Sequence, residues 1–371
     1  MKSFANYQRL AAGLYAVTAI LLISCGNGQP SAVTPFYGAA DYLKVKKTDV
    51  HAHIFRSDSA IYEQALKDNV ALITINVESP GAPPIDSQQY FALRQQQISH
   101  GDVHWMATFG SVNINEPGWA EKELSRLQQS FDSGALGIKV WKNIGMTVKD
   151  KNGKFIMVND AVFDPIFNYL EKNNIPVLGH LGEPKNCWLP LEKMTTNNDR
   201  NYFKEHPQYH MFLHPDYPSY DSIISARDRL LDKHPKLKFI GAHLASLEWS
   251  VDEMAKHLDK YPNMAIELAA RMGQVQYQTL TDYNKVRDFF IKYQDRIMYG
   301  TDLGVVEGDN ADTIKAEAHT AWLRDWNYLT SADSLQTPFL DTKIKGLQLP
   351  KETVDRIYYK NVEQFFGIKL K

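Results

Sequence analysis

Residues 48 to 55 read TDVHAHIF and place His51 and His53 one residue apart, where a polar lead-in meets an apolar run. Side chains alternate along an extended strand, so both imidazoles point to one face. Twelve histidines in 371 residues are enough for one such pair to arise by chance, so the pair means chemistry only if other ligand-type residues join it. Three do so in similar settings: His180 in IPVLGHLGEP, His243 in LKFIGAHL and Asp302 in RIMYGTDLG, each at the end of an apolar, β-prone run. Two or three neutral imidazoles with one carboxylate bind a divalent cation such as Zn²⁺ and leave a position for water. A water so placed has its pKa lowered to about 7. Asp302 is then suited to act as general base and to return the proton to a leaving group. His243, where it is not itself a ligand, is suited to polarise a substrate carbonyl or stabilise an oxyanion. Zn²⁺ fits these donors, as do Mn²⁺ and Fe²⁺, with one or two ions per site.

Further residues are candidates for substrate contact. Lys139 in GALGIKVWKN shares a strand face with Trp141; it is either carboxylated and bridging two ions, an unmodified active-site lysine, or structural. A buried, unmodified lysine has its pKa lowered unless it is paired. Trp141 is a candidate pocket wall. Glu183 is a second acid, a substrate contact or a loop residue, and Arg271 is a bidentate clamp for a carboxylate or a surface salt bridge. His210 and His214 are lesser candidates. Cys187 in EPKNCWLP has no obvious activator and reads as a small packing residue.

What positions these residues is a regular alternation. Strands are expected at 45–53, 70–77, 103–109, 135–141, 175–180, 237–243, 263–269 and 296–301. Amphipathic helices are expected between them, for instance from Gly118, where Leu124, Leu127 and Phe131 recur at helical spacing, from Ala161, and from Trp249 to a stop at Pro262. Eight strand and helix pairs predict an α/β fold of the (β/α)₈ TIM-barrel type, a single domain with long insertions after the strands at 181–236 and 303–350. Barrels of this kind carry their active sites at the C-terminal ends of the strands, where the five candidates fall. A doubly wound open sheet is the alternative, but no Gly-rich dinucleotide fingerprint follows the first strand.

The first 24 residues differ from the rest. Lys2 and Arg9 precede an uncharged run of 14 residues, Leu10 to Ile23, too short to span a membrane and typical of a secretory signal. The run ends in Leu-Ile-Ser-Cys, which resembles a bacterial lipobox. The expectation is a lipoprotein signal peptide over 1–24, a lipidated Cys25 with a flexible tether over 25–40, and a catalytic domain over 41–371. The protein is then exported and membrane-anchored through Cys25, on the periplasmic or outer-membrane side. A net charge of −2 gives no bulk signal for nucleic acid, so the expected partner is a small-molecule substrate.

Together DVHAH, the GH of residues 179–180, GAH, YGTD and the C-terminal IYYKNVEQFFGI resemble the amidohydrolase superfamily. Within it the resemblance is to the branch that includes aminocarboxymuconate-semialdehyde decarboxylase, resorcylate-type decarboxylases and lactone hydrolases. It covers nearly all of residues 45 to 368. The resemblance implies that His51, His53, His180 and Asp302 are metal ligands and that His243 is the strand-six catalytic histidine. The function implied is a metal-dependent hydrolase of a small amide, cyclic amide or lactone. A metal-dependent decarboxylase or other lyase of a small carboxylic acid is the second reading, and a non-catalytic ligand-binding lipoprotein the third.

Overall fold

The structure, a computed structural model, describes residues 35–370. All eight expected runs form strands: β1 (Lys47–Phe55), β2 (Val70–Ile75), β3 (Val103–Thr108), β4 (Ile138–Val140), β5 (Val177–Gly179), β6 (Phe239–Gly241), β7 (Met264–Glu267) and β8 (Ile297–Met298). A ninth, β9 (Leu303–Val306), follows directly. Every pairing among them is parallel, in the order β8-β7-β6-β5-β4-β3-β2-β1-β9.

The two outermost strands of that order are two halves of one stretch of chain. Val50 N–H donates to Tyr299 O at 3.0 Å and Asp302 N–H to His51 O at 2.7 Å, so the stretch runs from β7 across to β1 and closes the sheet into a barrel. The single eighth strand expected over 296–301 is therefore split. The break includes Asp302, whose φ of 68° lies in the left-handed region and interrupts the ladder. Closure rules out the open doubly wound sheet.

Alternation along the strands divides the apolar residues into two cores. Val50, Ile73, Ile75, Met106, Leu178, Ile240, Ala265 and Met298 fill the barrel interior with Val362 and Leu370 from the C-terminal segment. Ala52, Ile54, Leu72, Trp105, Ile138, Val177, Phe239 and Ile266 pack outward with Ile61, Leu127, Phe167, Leu230 and Phe290 of the surrounding helices. Helices Trp119–Asp132, Asp164–Lys172 and Val251–Lys260 occupy the segments expected for them. Insertion 181–236 holds short 3-10 turns, helix Asn197–Glu205 and then helix Tyr220–Lys233. Insertion 303–350 holds helix Ala311–Thr330 and a small antiparallel hairpin of β10 (Ser334–Leu335) and β11 (Ile344–Lys345).

The signal peptide expected over 1–24 and Cys25 lie outside the described residues, as does most of the expected tether. The end of that tether, 35–40, belongs to the folded domain instead. Lys351 N–H donates to Pro35 O at 2.9 Å, Phe36 bridges Pro350, and Tyr37 Oη donates to Asp355 Oδ1 at 2.9 Å. Among the described residues no helix is long and apolar enough to cross a membrane.

Candidate metal centre

The direction of the first two histidines depends on an irregularity in β1. Its pairing with β2 shifts register between Asp49 and Ala52. A bulge there lets Val50 belong to the barrel interior while Ala52 and Ile54 pack outward, leaving His51 and His53 on the inner face at the C-terminal end. Asp302, opposite them, brings Oδ1 to 3.3 Å from Nε2 of each histidine. One ligand atom from each of the three lies within 4.8 Å of the other two.

Hydrogen bonds to the far side of each ring settle which nitrogen faces the centre. His53 Nδ1 lies 2.9 Å from Ile75 O and His243 Nδ1 2.9 Å from Ala269 O. A carbonyl only accepts, so both Nδ1 atoms carry hydrogen and both Nε2 atoms present lone pairs when the rings are neutral. His51 Nδ1 lies 3.0 Å from Glu267 Oε1 and is set in the same way. Two imidazole nitrogens facing one anionic carboxylate oxygen at 3.3 Å repel it unless a cation or proton stands between them, and Lys139 Nζ, 3.1 Å from His51 Nε2, brings a charge to only one of the two. Nε2 of His180 and of His243, by contrast, is buried without a hydrogen-bond partner. This donor set fits a divalent metal ion.

The electrostatics agree. Burial holds His51, His180 and His243 well below the ordinary histidine range, and neighbouring Lys139 adds to the effect at His51 and His180. Neutral imidazole is the form that binds metal. Burial by itself would raise Asp302, and only positive charge among His51, His243 and His53 outweighs it and holds the carboxyl well below the usual range, so the anion calls for a cation or proton in this cluster.

Glu267 is a residue that reading the sequence missed. It is fully buried at the end of β7, accepts from His51 Nδ1 and from His243 N–H at 2.7 Å through Oε1, and from Ala269 N–H at 2.6 Å through Oε2. With both oxygens engaged in this way, it orients His51 rather than completing a second ligand set. Its signal was present: a glutamate in the apolar run NMAIELA shares a face with Ala265, which lines the barrel interior. Gly300 of YGTD makes room for this pair, since a Cβ there would fall 2.8 Å from Glu267 Oε2 and 3.0 Å from His51 Cβ.

The remaining expected residues divide. His180 stands outside the His51, His53 and Asp302 triad; its ring lies edge-on to His243, with centroids 4.1 Å apart. His243 is 4.8 Å from His51, centroid to centroid. Lys139 is buried on the inner face of β4 with Nζ 3.1 Å from His51 Nε2. Burial pushes its pKa down to about 8, against the pull of Asp302 and Glu267. Glu183 is not an exposed loop residue: it is buried and ion-paired with Lys142. Arg271 is buried too, with Nη1 donating to Ala270 O at 3.0 Å, so a surface salt bridge is excluded.

Above the triad opens a cavity of about 380 Å³, lined by His51, His53, Lys139, Lys142, His180 and Asp302 and walled by Phe55, Trp141, Tyr202 and Tyr209. The insertion contributes tyrosines where histidines were considered. His210 and His214 spend their Nε2 atoms on Leu189 O and Pro207 O, at 2.7 and 3.0 Å, and do not line the cavity. Cys187 is a packing residue: buried, it donates to Tyr209 O at 3.1 Å, and burial raises its thiol pKa strongly.

The fold matches the crystal structure of 2,6-dihydroxybenzoate decarboxylase from Rhizobium, at 15% identity over 87% of this chain and 99% of that one, with a TM-score of 0.50. L-hydantoinase (dihydropyrimidinase) from Arthrobacter aurescens matches at 12% identity over 87% of this chain and 71% of that one, with a TM-score of 0.47. At 15% identity the decarboxylase match speaks to the fold, not to the reaction. No curated protein matches in sequence. A family model described as amidohydrolase matches residues 105–368, a stretch that holds Lys139, His180, His243, Glu267 and Asp302. The chain belongs to the amidohydrolase family.

Proposed function

We propose that this protein is a metal-dependent hydrolase of a small amide, cyclic amide or lactone, with His51, His53 and Asp302 as the core of its metal site and His180 as a further ligand. The observation that carries this reading is the triad on the floor of a cavity, with Nε2 of both β1 histidines converging on one carboxylate oxygen. A bound Zn²⁺, or Mn²⁺ or Fe²⁺ in its place, supplies a water with its pKa lowered to about 7 and polarises the substrate's carbonyl.

The chain's own residues do the rest. Asp302, held as the anion, takes the proton of the attacking water on a carboxylate oxygen and returns it to the leaving nitrogen or oxygen. Glu267 fixes the ring of His51, and Ile75 O that of His53. His243, with Nδ1 bound to Ala269 O, turns a neutral Nε2 toward the centre, placed to accept a proton or hydrogen bond from the substrate. Lys139 and Lys142 line the cavity and give an anionic substrate group a partner, and the aromatic walls exclude water around a flat substrate.

Those lysines also favour a second reading, decarboxylation, in which a substrate carboxylate is held and lost as CO₂. Turnover of a panel of lactones, cyclic amides and hydroxybenzoates in ¹⁸O-labelled water separates the two. Label in a product carboxylate is the result expected; CO₂ release without label would replace hydrolase by lyase. Glu267→Gln keeps the shape of the side chain and removes its charge. Metal affinity, read by competition with a chelator, should fall by about 10- to 100-fold. Unchanged affinity would remove Glu267 from the site. We further propose export and lipid anchoring at Cys25, supported by Lys2, Arg9 and the apolar run before it. Mass spectrometry of the mature N-terminus tests this, and an unmodified Cys25 still preceded by Ser24 would refute it.

A further inference from the structure

The segment that carries His243 is folded in a way its residues resist. His243, Leu244, Ala245 and Ser246 have φ values of 57°, 58°, 59° and 54°, a full left-handed turn. L-residues visit this region singly and rarely, and none of the four is glycine, the residue that adopts it without steric conflict. The turn folds back so tightly that a Cβ at Gly241 would fall 2.3 Å from Ala245 Cβ. Inside it, Ser246 N–H donates to His243 O at 3.2 Å and Leu247 N–H to Leu244 O at 3.0 Å. Ser246 Oγ ties it to Gly182 O at 2.9 Å, in the loop after His180.

Two large polar side chains of helix Tyr220–Lys233, neither of which lines the catalytic cavity, are aimed at this turn. Arg227, almost fully buried, donates through Nη1 to Ala245 O, and Tyr220 donates through Oη to Ser246 O. Each is itself braced. Nε and Nη2 of Arg227 donate to Asp228 Oδ1 at 3.0 and 2.8 Å, and Asp228 Oδ2 meets His257 Nε2 at 3.1 Å. Trp249 Nε1 donates to Tyr220 Oη at 2.8 Å. Without these donors two buried carbonyls lose their partners, and the backbone gains by relaxing out of the left-handed region. Relaxation would swing the His243 ring off Ala269 O and its N–H off Glu267.

We propose that Arg227 and Tyr220 are positioning residues that clamp the left-handed turn 243–246 and thereby hold the His243 imidazole against His51 and His180. Its effect on turnover rests on the proposed role of His243 in the reaction; the clamp itself does not. Arg227→Met and Tyr220→Phe, each also combined with Ala245→Gly and Ser246→Gly, provide the test. Glycine holds a positive φ without outside help, so a clamp predicts that the glycines rescue what the clamp variants lose.

Two readouts need no substrate: the ¹⁵N resonances of the His243 ring, and amide exchange at Ser246 and Leu247. Arg227→Met should shift the ring resonances and speed exchange by about ten-fold or more, with reversal by the glycines. With substrate, kcat should fall by about 10- to 100-fold at near-constant KM and recover with the ring signal. Should Arg227→Met fold poorly, Tyr220→Phe and the glycine rescue carry the same test. Unchanged ring resonances, or a loss that the glycines do not repair, would overturn the clamp. Resonances that shift and recover while kcat stays constant would uphold the clamp and remove His243 from the reaction.

Discussion

Asp302→Asn is expected to lower kcat by about 10²- to 10⁴-fold, the range that a positioned general base contributes, while far-ultraviolet circular dichroism and the melting temperature stay near those of the native protein. The substitution is clean for a backbone reason. Asp302 sits at φ 68°, and asparagine tolerates the left-handed region where most residues do not. The N–H that bonds His51 O at 2.7 Å, one of the links that close the barrel, is therefore kept. What is lost is the carboxylate's negative charge and with it the capacity to take a proton. Alanine would mix this loss with backbone strain and is the poorer test. Full activity in Asp302→Asn would sink the proposed proton transfer.

Lys139→Met is expected to leave the metal content of the chain unchanged and to cut kcat/KM by about 10²- to 10³-fold, the cost of removing one fixed positive group from a water-poor site. Methionine fills the space without charge. A carboxylated, bridging lysine predicts the opposite pattern, with two ions in the native protein and fewer in the variant. Stability gives a second readout in metal-free protein. Burial depresses the amine from its ordinary 10.5 to about 8, so the folded state disfavours the charged form. Below pH 8 the full cost of burying that charge is present; between 8 and 10.5 the unfolded chain binds more protons, and the cost fades as pH rises. Lys139→Met should therefore stabilise the apo-protein by about 3 kcal/mol at pH 7, with the gain shrinking toward pH 10.5. Equal stabilisation at both pH values would show that Lys139 is not buried as the free amine.

The barrel was legible because each strand is an apolar run between amphipathic helices, and periodicity is a local property of the chain. His51, His53, Lys139, His180, His243 and Asp302 were legible because each falls in or at the end of such a run. What escaped depends on interactions that no single run records. The β1 bulge shows only in its pairing with β2, and the split of β8 from β9 only in how 299–302 meets β1. Glu267 looked like one charge in an apolar strand; its role exists only beside His51 and the N–H groups of His243 and Ala269. Tyr202 and Tyr209 reach the cavity through the path of a long insertion, where sequence favoured its histidines instead.

The proposed chemistry requires a metal ion held by the β1 histidines and Asp302. Elemental analysis of the purified protein alongside His53→Ala tests it most directly. The native chain should carry about one divalent ion, and His53→Ala should lose it while still folded, because one of the few protein ligands is gone. A native protein free of stoichiometric metal after growth and reconstitution with Zn²⁺, Mn²⁺ and Fe²⁺, or an ion that His53→Ala retains at full affinity, would contradict it.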